Sequence, residues 1–406
     1  MNCRHCGMQL THTFVDLDFA PLSNAYLTAD DLNKPEKRYP LKIKVCGHCW
    51  LAQTEDYVQA DELFRANYAY FSSISSTWLA HAKAYAEQMT QRFKLGSNSL
   101  VIEVASNDGY LLKNFLAMGI PCLGIEPTAS TADAAEKIGI PVLKKFFGEA
   151  LGQQLAKQGK KANLIIGNNV YAHVPDINDF TRGLKAALKP GCTITLEFPH
   201  LMQLIKHAQF DTIYHEHFSY LSLYTVCRIF AAAGLRVWHV EELQTHGGSL
   251  RIYGCHADDT IQTNEVVQQI LKEEIKQGMQ TLTPYREFQP RVDKIKNDLL
   301  EFLVQQYKLG KKVVAYGAAA KGNTLLNYAG VRSDLLPFVC DAAIAKQGKY
   351  MPGSHIPIIS PLEIVKAKPD YVLILPWNIS EEIKAQLSPS LPGALFITAV
   401  PELKKV

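Results

Sequence analysis

The sequence predicts an α/β chain in three parts: a small zinc-binding N-terminal lobe, a Rossmann-like core and a second Rossmann-like C-terminal domain. Three observations carry this. Two CxxC pairs stand near the beginning. An apolar strand running into a turn and an amphipathic helix occurs once from Leu100 and again from Lys311. Between these units lies a polar stretch with helical periodicity. At 406 residues the chain is too long for one ordinary core. The expected boundaries are 1–75 for the lobe, 76–255 for the core, 256–310 for a helical connector and 311–406 for the last domain.

Composition narrows the function classes. A hydrophobic share of 47% with 20% charged residues fits a globular protein in water. The net charge of +3 is too small to draw the chain to nucleic acid or an anionic membrane, so neither is an expected partner. No apolar run is long enough to span a bilayer, and MNCRHCGMQL lacks the apolar centre of a signal peptide. A cytoplasmic location is the resulting expectation. Oligomeric state is not legible, and a monomer is compatible with everything in the sequence.

Nine cysteines are an odd number, which argues against a closed disulfide framework. Cys122, Cys192, Cys227, Cys255 and Cys340 are scattered through apolar sequence and read as reduced core residues. Cys3-Arg-His-Cys6 and Cys46-Gly-His-Cys49 differ. Each tight bend presents two thiolates, and two bends complete a tetrahedral sulfur cage for a structural Zn²⁺ with no open position. His5 and His48 lie inside the bends but are not needed as ligands. The competing reading is a redox dithiol, which would need only one pair in a strand-to-helix setting.

The core opens at SNSLVIEVASNDGYLLKNFLAMGI. Leu100–Ala105 reads as a strand, Ser106-Asn107-Asp108-Gly109 as a turn, and Leu111, Leu112, Phe115 and Leu116 as a helical stripe. A second strand, Pro121–Ile125, ends in Glu126, where α/β folds hold ribose hydroxyls, and a helix follows over Ala129–Ile138. Gly109 is the loop's one glycine, whereas a dinucleotide needs a glycine-rich turn for its pyrophosphate. S-adenosylmethionine carries no phosphate, and its amino-acid end suits Glu103 and Ser106–Gly109. Leu164–Ile166 forms a further strand opening into Asn168, Asn169, Tyr171 and His173. DFTRGLKAALKPGCTITLEFPH adds a helix, a Pro190-Gly191 turn and a strand ending at Glu197, the pattern of the fourth and fifth strands of a class I methyltransferase core. An asparagine pair at a strand end is often only a turn; its place here makes Asn168 and Asn169 candidate cofactor contacts.

After THGGSLRIYG two helices read as a connector whose charges are solvated faces. KKVVAYGAAAKGNTLLNYAG then repeats strand, turn and helix, with Gly317 and Gly322 framing Ala318–Lys321. A helix N-terminus beside a lysine is a ready anion site, although the Lys-Ser/Thr of a P-loop is missing. Lys321 and Asn323, with Lys346 and His355, are candidates to grip a diphosphate. The competing reading is a purely structural domain.

Taken together, Cys3xxCys6…Cys46xxCys49, YAYFSSISSTW, EVASNDGYLL, NNVYAHVPD, EFPH, IYHEHFSYLS, THGGSLRIY and YGAAAKGNTLLN resemble, in order and over nearly the whole chain, the sugar C-methyltransferases. Within that family they are similar to C3-methyltransferases of nucleotide-linked 4-keto-6-deoxyhexoses on a dTDP or GDP carrier. The resemblance implies S-adenosylmethionine-dependent methylation for branched deoxysugar biosynthesis. It implies His217 as the base at C3, with Tyr214 and Glu216 beside it and His173 as a donor to the C4 oxygen. It also implies Tyr68 as a lid contact and Tyr70 among the substrate contacts. The chemistry is coherent, because a C–H next to a ketone is acidic enough for a neutral imidazole, and the enolate oxygen needs a hydrogen-bond donor. The residues alone do not separate His215 from His217. They also allow both rings on one strand face holding a metal, or an HEH cluster that is merely solvated. An O- or N-methyltransferase and a non-catalytic zinc-dependent binding protein are the remaining alternatives.

Overall fold

A computed structural model of the chain describes residues 1–57, 73 and 76–406. Tyr68 and Tyr70 lie outside the described residues.

The chain first lays down β1 (His12–Ala20), β2 (Tyr39–Val45) and β3 (Ala52–Thr54) as an antiparallel sheet. Alternation along β2 turns Leu41, Ile43 and Val45 inward and leaves Lys42 and Lys44 more accessible, the mark of a sheet with one covered face. The core then follows with β4 (Val101–Val104), β5 (Cys122–Ile125), β6 (Val142–Leu143), β7 (Ala162–Asn168) and β8 (Leu188–Pro199), all parallel. β4 and β5 are buried throughout, as strands covered by helices on both faces must be. Strand β9 (Ser219–Tyr220) leaves this sheet and pairs with β3. β10 (Leu235–Leu243) and β11 (Ser249–His256) return to it, giving the order β10-β11-β8-β7-β4-β5-β6 with β11 antiparallel to both neighbours. That is the class I methyltransferase arrangement expected from the sequence.

The last sheet contains β12 (Val313–Tyr316), β13 (Val339–Cys340), β14 (Ile358–Ile359), β15 (Tyr371–Ile374), β16 (Leu395–Thr398) and β17 (Lys404–Lys405). Its order is β14-β13-β12-β15-β16-β17, parallel except for β17. The chain therefore reverses direction of travel at β12, and the helix Ala320–Tyr328 begins at that switch point.

The three parts do not keep separate cores. Phe14 and Ile43 of the first sheet share one apolar cluster with Phe210, with Phe288 and Leu299 of the helix Phe288–Lys308, and with Leu326 and Leu373 of the last domain. Phe14 packs its ring 4.7 Å from Phe288 and 5.3 Å from Tyr285. A second cluster joins Cys3, Cys46 and Cys49 to the methyltransferase sheet through residues such as Leu221 and Leu223. The N-terminal lobe is thus a wedge between the other two parts.

Several sequence expectations need adjustment. The Leu100–Ala105 strand is Val101–Val104, because Ala105 turns left-handed at φ 58°. The Leu164–Ile166 strand extends over Ala162–Asn168. The Pro190-Gly191 turn is a bulge inside β8, where the register with β7 shifts and Gly191 has φ 71°. Tyr214–Phe218 forms a turn rather than a strand, so His215 and His217 do not share a strand face. Among the described residues no helix is long and apolar enough to cross a membrane.

Candidate active site and zinc centre

The two CxxC bends have the same construction. Gly7 N–H donates to the Cys3 carbonyl at 2.9 Å, and Trp50 N–H to the Cys46 carbonyl at 3.0 Å. The four Sγ atoms lie within 4.8 Å of one another, with Cys3–Cys49 at 3.4 Å and Cys6–Cys46 at 3.5 Å. A tetrahedron with Zn–S near 2.3 Å needs S···S of about 3.8 Å, so the cage fits the ion. The Gln53 amide donates to Cys3 Sγ at 3.2 Å and His48 N–H to Cys46 Sγ at 3.4 Å, contacts that suit thiolate acceptors. His5 Nδ1 pairs with the Asn178 side chain at 2.8 Å, and Arg228 donates to His48 Nε2 at 3.2 Å, so both imidazoles are engaged elsewhere. Among the described residues no other group of three or more metal-ligating side chains converges.

A cavity of about 570 Å³ lies between the methyltransferase sheet, the N-terminal lobe and the last domain. Its floor on one side is the loop after β4 and the end of β5. Ala105, Asn107 and Gly109 are all left-handed, with φ 58°, 49° and 77°. A Cβ on Gly109 would meet Ile140 Cδ1 at 2.5 Å, so this glycine serves close packing as well as the turn. Glu126 accepts from Asn107 N–H at 3.0 Å and Thr128 N–H at 2.9 Å and faces the cavity. Glu103, Ser106, Asp108 and Gly109 stand behind this floor and do not line it. Burial, with Glu126 and Asp108 adding repulsion, holds the Glu103 carboxyl well above the usual carboxylate range. Glu103 Oε2 and Asp108 Oδ1 have no hydrogen-bond partner among the described residues. At the end of β7, Asn168 and Asn169 line the cavity, and the Asn168 amide is likewise unpaired there. A floor with the Glu126 carboxylate and the amides of Asn107, Asn168 and Asn169 offers acceptors to hydroxyl and ammonium groups and no glycine-rich cradle for phosphate, which fits S-adenosylmethionine rather than a dinucleotide.

The opposite wall is the YHEH turn. His217 Nδ1 donates to the Thr212 carbonyl at 2.8 Å, which fixes the tautomer and leaves Nε2 as the basic nitrogen. Tyr214 lies over the same ring, with centroids 4.0 Å apart, and His173 meets it edge-on at 4.6 Å. Burial pushes His217 well below the ordinary imidazole range, with His173 adding to the shift. The same cause brings His173 down to about 4, so both rings are neutral at pH 7. His215 points elsewhere: its Nε2 bonds the Pro40 carbonyl at 3.2 Å and its ring packs against Tyr39. Geometry therefore separates the two histidines that the residues alone left equivalent, and His217 is the one on the cavity.

The third wall comes from the last domain. Lys321 and Lys346 line the cavity, Lys321 bonding Asn378 at 2.9 Å and Lys346 the Ala318 carbonyl at 2.9 Å. Asn323 does not line it; its amide donates to the Ser23 carbonyl at 2.5 Å and ties the helix to the lobe. His355 is also elsewhere, paired with Glu36 at 3.0 Å. Neither is brought to the site, because both side chains are engaged in holding the lobe.

Residues not singled out in the sequence complete the walls. Asn24 donates to Glu216 Oε1 at 2.7 Å, and Tyr26 OH donates to the Ala318 carbonyl at 2.6 Å. Trp78 and His246 face the cavity with ring centroids 5.6 Å apart. Trp78 and His246 carried a signal, their places in the YAYFSSISSTW and THGGSLRIY segments; Asn24 and Tyr26 carried none.

Three family models match the chain: “Putative zinc binding domain” over 3–64, “Methyltransferase domain” over 78–240 and “C-methyltransferase C-terminal domain” over 244–401. The C-methyltransferase NovU of Streptomyces niveus is 34% identical over 401 residues, covering 98% of this chain and 95% of that protein. The chain belongs to the C-methyltransferase family. Among solved structures, magnesium protoporphyrin IX methyltransferase of Synechocystis PCC 6803 aligns with 12% identity and a TM-score of 0.34, covering 44% of this chain and 79% of that one. A methyltransferase of Clostridium acetobutylicum aligns with 7% identity and a TM-score of 0.35, covering 44% and 92%. In this C-methyltransferase the zinc-domain match falls on the four-cysteine cage, and the methyltransferase match on the sheet that carries Asn107, Glu126 and Asn168. The C-terminal match takes in His246, Lys321 and Lys346 on the facing walls.

Proposed function

We propose that the protein methylates C3 of a nucleotide-linked 4-keto-6-deoxyhexose, on a dTDP or GDP carrier, through an enolate generated by His217. The observation that carries this reading is the His217 ring, oriented by the Thr212 carbonyl, neutral through burial, and presented to the cavity that Glu126 and Asn168 also line. The C3–H bond breaks, its proton passes to Nε2, and the electron pair delocalises onto the C4 oxygen. Asn107, Glu126, Asn168 and Asn169 hold the cofactor, with Glu103, Ser106, Asp108 and Gly109 shaping the loop behind them. S-adenosylmethionine, when bound there, supplies an electrophilic methyl group that an enolate carbon accepts.

Tyr214 and His173 pack the base into one orientation. Glu216, oriented by Asn24, presents a carboxylate to the sugar. Lys321 and Lys346, at the start of helix Ala320–Tyr328 and across from it, take the diphosphate. Zinc acts at a distance from the chemistry. Four thiolates close its shell, so it shapes the lobe that brings Asn24 and Tyr26 to the cavity.

The decisive variant is His217→Asn. Methyl transfer should fall below detection while S-adenosylmethionine still binds by calorimetry. A variant that turns over normally removes His217 from the chemistry.

A further inference from the structure

We infer that His246 is a catalytic residue that donates a hydrogen bond to the substrate carbonyl oxygen as it becomes an enolate. This rests on the enolate reading above and gives His246 the donor role at the C4 oxygen that the family resemblance implies for His173. His217 has given its hydrogen to Thr212 and must keep Nε2 free to take a proton. His173 hydrogen-bonds the Glu216 backbone, which commits it to holding the turn that carries the base. A third ring is therefore needed at the oxygen, and the cavity contains one.

His246 lines the cavity, and neither of its nitrogens has a hydrogen-bond partner among the described residues. The rest of its surroundings are built. Its backbone is left-handed, φ 55° and ψ 19°, a conformation that a ring-bearing residue adopts at a cost of about 1–2 kcal/mol. Gly247 and Gly248 follow at φ 87° and 114°. A Cβ on Gly247 would meet Trp377 at 2.3 Å, and one on Gly248 would meet Gln203 at 2.8 Å. Gln209 donates to the Gly247 carbonyl at 2.7 Å, and Ser249 Oγ to the Thr245 carbonyl at 2.9 Å. The loop is thus clamped from both sides with its imidazole on the cavity, and backbone strain held this way clusters at functional sites. Trp78 covers the ring on its flank.

Burial and the nearby Lys321 ammonium bring His246 down to about 4, so it meets the substrate neutral, with one N–H to give. A neutral donor suits an oxygen whose charge appears only during the reaction: it binds the ketone modestly and the enolate more strongly.

The experiment compares His246→Gln, which keeps an N–H near the same place, with His246→Met, which keeps bulk without a donor. Both side chains carry the same backbone strain, so a difference between them reads the donor. The probe is dTDP-4-keto-6-deoxyglucose in D₂O with S-adenosylhomocysteine in place of the donor, following deuterium entry at C3 by NMR. His246→Met should lose about 10²–10³-fold in exchange and in kcat, and His246→Gln should stay within about tenfold of the parent. S-adenosylmethionine affinity should be unchanged in both, which also shows that they fold. Exchange by His246→Met at the parent rate overturns the assignment, as does His246→Gln falling as far as His246→Met. His217→Asn run alongside separates the two claims: its loss of exchange with His246→Met unaffected rejects His246 alone, whereas its full exchange rejects the enolate reading itself.

Discussion

Asp211 is a carboxylate kept at a cost to stability. It is fully buried beneath the cavity, accepts the Trp377 indole N–H at 2.7 Å through Oδ2, and leaves Oδ1 unpaired among the described residues. Burial raises it from 3.8 to about 6, against the pull of Lys321 and the Trp377 hydrogen bond. A carboxyl raised in the folded chain keeps its proton longer than in the unfolded chain, so its contribution is intact below 3.8 and is lost as pH climbs through about 6. The gap corresponds to about 3 kcal/mol at ~1.4 kcal/mol per decade of acidity. Asp211→Asn retains an acceptor for Trp377 and cannot ionise. The variant should therefore match the parent near pH 4 and exceed it by about 3 kcal/mol at pH 7.5, a shift of ~1 M in the urea midpoint. Lys321 would meanwhile lose the buried counter-charge that Asp211 supplies, and the KM for the sugar nucleotide should rise. A variant no more stable than its parent at pH 7.5, or equally stabilised at both pH values, would refute the reasoning.

Three other outcomes follow from the same geometry. Lys321→Met should raise the KM for the sugar nucleotide about 10–100-fold in steady-state assays and leave that for S-adenosylmethionine unchanged, since a desolvated charge-assisted contact is worth roughly 1.5–3 kcal/mol. Cys46→Ser should lower bound zinc, measured by atomic emission, and loosen the lobe, so that proteolysis near its bends accelerates while the methyltransferase sheet stays protected. Glu274 is fully buried and accepts from Leu223 N–H at 2.6 Å, Tyr224 N–H at 2.9 Å and His200 at 2.7 Å. Glu274→Ala should cost about 3–5 kcal/mol in denaturant titration, because two helix-end amides and an imidazole are left without an acceptor.

Glu274 also shows where sequence reading stops. Its helix, Glu265–Lys276, is legible from periodicity, and a glutamate on a polar helix reads as solvated. Its burial depends on the helix Leu223–Ala232, whose N-terminus it caps from far along the chain. The parts with a local cause are readable: the apolar β4 and β5, the Cys pairs in tight bends, and the acidic end of β5. Asn24 and Tyr26 sit in LSNAYL, which has no period and no motif, and tertiary contacts with Glu216, Ala318 and Asn323 hold them at the cavity. Asn323 and His355 failed for the opposite reason. Their chemistry suits phosphate, but tertiary packing engages them with Ser23 and Glu36.

The shared core brings all three parts to the walls of one cavity. Thr324 of the last domain donates to the Ile213 carbonyl at 2.8 Å, one residue before the turn that carries His217, the proposed base. Asn24 of the lobe bonds Glu216 within that turn, and Tyr26 and Lys346 converge on the Ala318 carbonyl on the far wall. The YHEH turn has no regular secondary structure to hold it, so its shape is imposed by these neighbours. Orienting a base to within a fraction of an ångström of a C–H bond is worth several kcal/mol of barrier, and a turn left to itself would forfeit it. The imidazole is held by the lobe and the last domain together.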